Sequence, residues 1–146
     1  MLRFTGPTAY VLLLFFAQGS SQLLHKDGFG TTGASFNRPS AVSVLGGTAF
    51  VADTDNNMLR TILTGATAYV TTAAGNGGAG MAQGVGSSAT MRNPGGVSAV
   101  DSTMLLFSDT LNNAVRSVVG VVLKSSTTFV SLSLIHISEP TRLLSI

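Results

Sequence analysis

Three observations predict an all-β chain built from two copies of one antiparallel unit. Short apolar runs alternate with Gly, Asn and Asp turns along most of its length. The stretch Val51-Ala52-Asp53-Thr54-Asp55-Asn56-Asn57-Met58-Leu59-Arg60 returns as Phe107-Ser108-Asp109-Thr110-Leu111-Asn112-Asn113-Ala114-Val115-Arg116, and such a repeat bears on architecture before any single motif is weighed. The 146 residues are 45% hydrophobic and 10% charged, with 17 glycines. That is too apolar for a disordered chain and too poor in charge for the solvated faces of helices.

The first unit opens with DGFG (residues 27–30) and ASFNRP (34–39). Residues 40–45 (SAVSVL) form a first strand, Gly46-Gly47 a tight turn and residues 48–52 (TAFVA) a second strand. Residues 53–57 turn into a third run at 58–63 (MLRTIL), and after Gly65 residues 67–73 (TAYVTTA) form a fourth. Four short runs joined by such turns predict a four-stranded up-and-down antiparallel sheet. The second unit has a Gly-rich connection (75–86), then ATMRNP (89–94) in place of ASFNRP, and runs at 95–100, 104–108, 114–123 and 127–131. Pro39 and Pro94 are 55 residues apart, whereas Arg60 and Arg116 are 56 apart. One residue is therefore inserted in the first hairpin of the second unit, between Val100 and Met104. Gly, Thr and β-branched residues fill each candidate helical window, so little helix is expected.

The repeated turn has a structural chemistry. An Asp ending a strand accepts hydrogen bonds from backbone N–H groups, and Asn tolerates positive φ. Asp53 and Asp109 thus read as turn-fixing, with Asn56, Asn57, Asn112 and Asn113 shaping the turn. Arg60 and Arg116 follow their Asp by seven residues, a spacing that suits pairing with the turn carboxylate or with carbonyls of the next unit. The second copy replaces Asp55 by Leu111, which separates the constant part of the motif from its optional part.

Pro39, Val51-Ala52-Asp53-Thr54, Asn56-Asn57 and Arg60 resemble the NHL repeat, a blade unit of β-propellers, and residues 27–39 resemble the connection that precedes each blade. Pro94, Asp109, Asn112, Asn113 and Arg116 carry the resemblance in a looser second copy, where Ser108 stands for Ala52 and Met91 for Phe36. The resemblance implies an all-β fold of two four-stranded blades, at 27–74 and at 75–131 with its connection. They belong to an incomplete propeller, six-bladed as is common in the family, and the remaining blades of the same chain are the expected structural partner.

Both termini read as something other than this fold. Arg3, the apolar run AYVLLLFFA (9–17) and the small residues around Gly19 predict a signal peptide at 1–19, followed by a short linker at 20–26. The run is well short of the ~20 residues that span a bilayer, so no membrane span is expected and a secreted or extracellular location is. Residues 132–142 read LSLIHISEPTR, which resembles a translated transposon-type sequencing adapter. Residues 143–145 fit the index that follows such an adapter and Ile146 the fixed codon after it, so 132–146 is expected to be artefact; the alternative is a genuine strand with a Pro-containing tail.

The remaining composition excludes several chemistries. The net charge of +2 and pI near 9.5 come from eight scattered Lys and Arg, not from a basic stripe, so no nucleic acid is expected. The absence of cysteine removes disulfides and thiolate chemistry. Residues 75–80 (GNGGAG) match G-x-G-x-x-G, but a dinucleotide site needs a helix to begin at that loop, and Gly80, Gly84 and Gly86 oppose one. DTDNN (53–57) opens like a calcium loop, yet Met58 and Thr64 stand where Gly and Glu are required. No catalytic, cofactor-binding or metal residue is assigned and no cofactor is expected. The functional expectation is a non-catalytic scaffold that binds protein, peptide or glycan through its loops. The alternative is part of a metal-dependent lyase or hydrolase whose site lies in other blades, since the expected inner strands at 40–45 and 95–100 carry neither His nor carboxylate.

Overall fold

Alternate side chains of a strand point to opposite faces of its sheet, and most of these strands carry apolar or small residues at both parities. Each sheet must therefore be covered on two sides. The computed structural model describes residues 25–29, 33–63, 68–120 and 131–135. The signal peptide expected at 1–19, residues 20–24 of the expected linker and residues 136–146 lie outside the described residues.

The described strands form two antiparallel sheets. The first contains β1 (Gly28–Phe29), β2 (Pro39–Leu45), β3 (Thr48–Asp53), β4 (Met58–Leu63) and β5 (Tyr69–Ala74), in the order β1-β5-β4-β3-β2. The second contains β6 (Pro94–Ala99), β7 (Met104–Asp109), β8 (Ala114–Val119) and β9 (Ser131–Ile135), in sequence order. Three short 3-10 turns, at Thr54–Asn56, Gly86–Ser88 and Thr110–Asn112, join them. No helix among the described residues is long and apolar enough to cross a membrane.

The all-β class and the antiparallel up-and-down order agree with the sequence. Two details differ. The first sheet has a fifth strand, because Gly28 and Phe29 pair with Val70 and Tyr69, and the Phe29 and Tyr69 rings meet edge-on with centroids 4.8 Å apart. In the second sheet, residues 127–130 of the expected fourth run lie outside the described residues, and the fourth strand is Ser131–Ile135. It sets Ser131 against Val119 and Ile135 against Val115, and so runs into the residues that resemble adapter sequence. Their Ser-Leu-Ser-Leu alternation has the period of a strand. Without such a strand, β8 would present an unpaired row of backbone groups.

Both sheets carry an irregularity at the same place, just after the proline that opens the first strand, between Pro39 and Ala41 and between Pro94 and Val97. The main core lies between the sheets. Phe50, Ala52, Leu59, Ala73 and Ala74 of the first meet Leu105, Phe107 and Val118 of the second, with Ala89 and Met91 of the connection. A smaller core of Ala49, Val51, Ile62 and Val70 lies on the other face of the first sheet, against Ala34, Phe36, Val42 and Ala68.

The inserted residue is found where the spacing requires it. Val44 pairs with Ala49 across Gly46-Gly47, whereas Ala99 pairs with Leu105 across a longer turn. Asp101 replaces the glycine chemistry of that turn. Its Oδ1 accepts from the Thr103 N–H (2.7 Å), the Thr103 hydroxyl (2.7 Å) and the Met104 N–H (3.0 Å). The hydrogen bonds from Thr103 hold its carboxyl below the usual carboxylate value. A depressed carboxyl contributes stability that is present above the unfolded-state value near 3.8 and is lost as pH falls through the folded-state value. Denaturant midpoints measured from pH 6 down to pH 2 should therefore show a smaller acid-induced decline for Asp101→Asn than for wild type.

Candidate functional site

The repeated Asp ends the second strand of each sheet, where the chain must turn sharply and leave backbone donors without ladder partners. In each copy the carboxylate gathers those donors. Asp53 Oδ1 accepts the Asn37 N–H at 2.8 Å, and Asp53 Oδ2 accepts the Asn56 amide at 2.9 Å and Arg60 Nη1 at 2.9 Å. Asp109 repeats this with the Arg92 N–H at 2.6 Å, the Asn112 amide at 2.9 Å and Arg116 Nη1 at 2.8 Å. The turn closes with Asn57 and Asn113 in the left-handed region, both at φ 51°, where Asn is among the few residues tolerated. Arg38 and Asn93, each preceding the proline, share a φ of 49°. At Arg38 that conformation is the costlier one, and the bond from the adjacent Asn37 N–H to Asp53 helps hold it.

The arginines carry the arrangement outward to the incoming connection. Arg60 Nη1 donates to the Ser35 carbonyl (3.1 Å) and Nη2 to the Lys26 carbonyl (2.9 Å). Arg116 does the same to the Thr90 carbonyl (2.6 Å) and the Ala82 carbonyl (3.0 Å). Of the two expected partners, the turn carboxylate is the one found; the carbonyls belong to the connection entering the same unit and not to the next one. Phe36 lies under the Arg60 guanidinium at 5.1 Å and Phe107 beside that of Arg116 at 5.8 Å. Both ion pairs are 0% exposed at both partners.

One partner was not legible in the motif. Asp27 Oδ1 accepts Arg60 Nη2 at 2.7 Å and the Thr72 hydroxyl at 3.1 Å, tying β1 and β5 to the arginine. Asp27 is 33 residues from Arg60, and the second unit has Gln83 at the corresponding place, so no repeated spacing marked it.

Asn57 and Asp55 join the two sheets. Asn57 accepts the Asn93 N–H at 2.9 Å and donates to the Gly77 carbonyl at 3.1 Å. Asp55 accepts the Asn93 amide at 3.2 Å and pairs with Arg38 at 3.2 Å. Asp55 is thus an inter-sheet contact that the second copy, with Leu111, does not repeat. Pro39 and Pro94 open their strands opposite Asp53 and Asp109.

All ten repeat residues therefore fall at structural posts. Both carboxylates are 0% exposed, and each is held by a backbone N–H, an Asn amide and a guanidinium. Burial pushes the Asp53 carboxyl above its usual value, against the opposing pull of Asn56, the Asn37 N–H and Arg60. No helix begins at the 75–80 glycine stretch, which continues as irregular backbone to the 3-10 turn at Gly86–Ser88. Among the described residues no group of three or more His, Cys, Asp or Glu lies close enough to hold a metal ion. No protein-family model matches the chain, and no curated protein matches it.

Removing one partner of a buried pair strands the other's charge. Arg116→Met should cost about 3–5 kcal/mol, read as a lowered urea midpoint. The double variant Asp109→Asn/Arg116→Met should cost less than the sum of its single changes. Gly75 sits at φ 98°, and a Cβ there would lie 2.6 Å from the Asn57 carbonyl oxygen. Gly75→Ala should therefore lower the melting temperature by more than Gly86→Ala, where nothing lies within 4 Å of the added Cβ.

Proposed function

We propose that the two sheets are consecutive blades of an NHL-type propeller in an exported protein, and that the chain serves as a non-catalytic scaffold binding a protein, peptide or glycan through its connecting loops. The observation that carries this reading is how the Gly-rich connection is held. Arg116 and Asn112 clamp the carbonyls of Ala82, Thr90 and Gly80, and Thr90 accepts the Ala82 N–H through its hydroxyl at 2.9 Å. The backbone is pinned from beneath by the fully buried Arg116 and the half-buried Asn112, while Met81, Gln83 and Val85 of the same loop are exposed. A loop fixed in one shape with outward apolar side chains loses little freedom when it binds, which favours recognition. The recurring charged residues are at the same time consumed in holding that loop, a use that suits a scaffold.

The test is binding of the full chain to arrayed glycans and peptides, followed by titration of the best ligand in solution. Met81→Ala/Val85→Ala should weaken that binding at least about tenfold, the equivalent of about 1.4 kcal/mol, and leave the melting curve unchanged. Turnover of a lyase or hydrolase substrate by the purified chain, with no ligand retained on either array, would overturn the reading.

A further inference from the structure

Asn76, at the start of the Gly-rich connection, is the one asparagine in the sequence that precedes a glycine. It is exposed. Its Oδ1 accepts the Gly78 N–H at 2.9 Å, a turn that folds the side chain back over the Gly77 peptide. Gly77 has φ 88° and no Cβ to crowd that side chain. Among the described residues the Gly77 N–H makes no hydrogen bond, and neither does the Asn76 amide nitrogen. Other asparagines lack this combination. The amides of Asn56 and Asn112 are held by Asp53 and Asp109, and Asn93 precedes Pro94, which has no N–H to lose.

We infer that Asn76-Gly77 is a site of spontaneous, water-dependent modification, and that its main-chain product unfastens the joint between the two sheets. The Gly77 nitrogen gives its proton to a solvent base and attacks Asn76 Cγ. The N–Cγ bond forms, the Cγ–Nδ2 bond breaks, and the amide nitrogen takes up a proton from water and leaves as ammonia. Negative charge that develops on Oδ1 during the attack meets the Gly78 N–H already directed at it, as an oxyanion donor does. Water then opens the five-membered imide at either carbonyl. One opening gives aspartate at position 76; the other gives isoaspartate, with the main chain rerouted through the side-chain carbons.

The two products differ in what they do to the fold. The Gly77 carbonyl accepts Asn57 Nδ2 at 3.1 Å, and Asn57 Oδ1 accepts the Asn93 N–H of the second sheet at 2.9 Å. A Cβ at Gly77 would meet the Asn56 carbonyl oxygen at 3.7 Å and the His25 ring at 3.8 Å, so the chain has a wall on that side. Isoaspartate inserts one backbone atom just before Gly77 and moves its carbonyl away from Asn57. Ordinary aspartate keeps both the backbone and the Oδ1 acceptor, and leaves the joint fastened.

The test is incubation of the full chain at neutral and at mildly alkaline pH, followed by peptide mapping with mass spectrometry. The mass gain of amide-to-acid conversion should accumulate at Asn76 at least about tenfold faster than at each other asparagine, a barrier difference of about 1.4 kcal/mol. It should accumulate faster at the higher pH. Hydroxylamine, which cleaves the imide, should cut the chain between Asn76 and Gly77, and isoaspartyl methyltransferase should label the aged chain. Thermal melts then read the consequence. Aged wild type should melt below fresh wild type, whereas fresh Asn76→Asp should match fresh wild type. Asn76→Ser, whose hydroxyl accepts the Gly78 N–H but closes no ring, should keep its melting temperature through the same incubation. A mass gain absent from Asn76 or spread evenly over the asparagines would overturn the site. An isoaspartate-bearing chain that melts like the fresh one, or an Asn76→Ser chain that declines as wild type does, would overturn its effect on the joint.

Discussion

A carboxylate with no access to water must be met by donors, and the two sheets depend on how Asp53 and Asp109 meet that requirement. Each takes a backbone N–H from the segment before the first strand, an Asn amide from its own turn and a guanidinium from the third strand. Three pieces of chain, the segment before the first strand, the turn and the third strand, are thereby fixed to one side chain. Net stabilisation from a buried ion pair is small once desolvation is counted, but losing one partner is severe. The arrangement therefore specifies one geometry more than it adds stability.

Arginine suits this post better than lysine. Its planar fork lets Nη1 and Nη2 reach a carboxylate and two carbonyls together. The aromatic ring near each guanidinium covers a flat, weakly hydrated group that a compact ammonium would not match. Through this fork the turn governs the connection, so the loops with the most exposed apolar side chains are anchored at the most buried polar positions. The Nε atoms of both arginines make no hydrogen bond, consistent with specification of geometry taking precedence over complete polar satisfaction.

Much of this was legible in the residues themselves. The Asp-to-Arg spacing of seven implied a pair because it recurred unchanged, and the paired Asn residues implied left-handed turns because few other side chains tolerate them. The step from a 55- to a 56-residue offset located the insertion that Asp101 accommodates. Asp27 was not legible, since its partner lies across the sheet and its counterpart is Gln83. The direction of the arginine contacts was not legible either. Carbonyls have no sequence identity, so Ser35, Lys26, Thr90 and Ala82 looked like any other residues of a connection. Of the fourth run expected at 127–131 only Ser131 is described, and the strand that pairs with β8 is Ser131–Ile135.

What the sequence alone determined is local and periodic: the strand pattern, the turn chemistry, the repeat and its register. Those follow from side-chain parity and from backbone preferences, which each residue carries regardless of its neighbours in space. Tertiary structure decided which of two apolar faces of a sheet meets the other sheet. It also decided that Asn57 reaches across to Asn93 and Gly77. Those outcomes depend on the arrangement of two sheets, and an alternation that is apolar at both parities does not encode which face is inward.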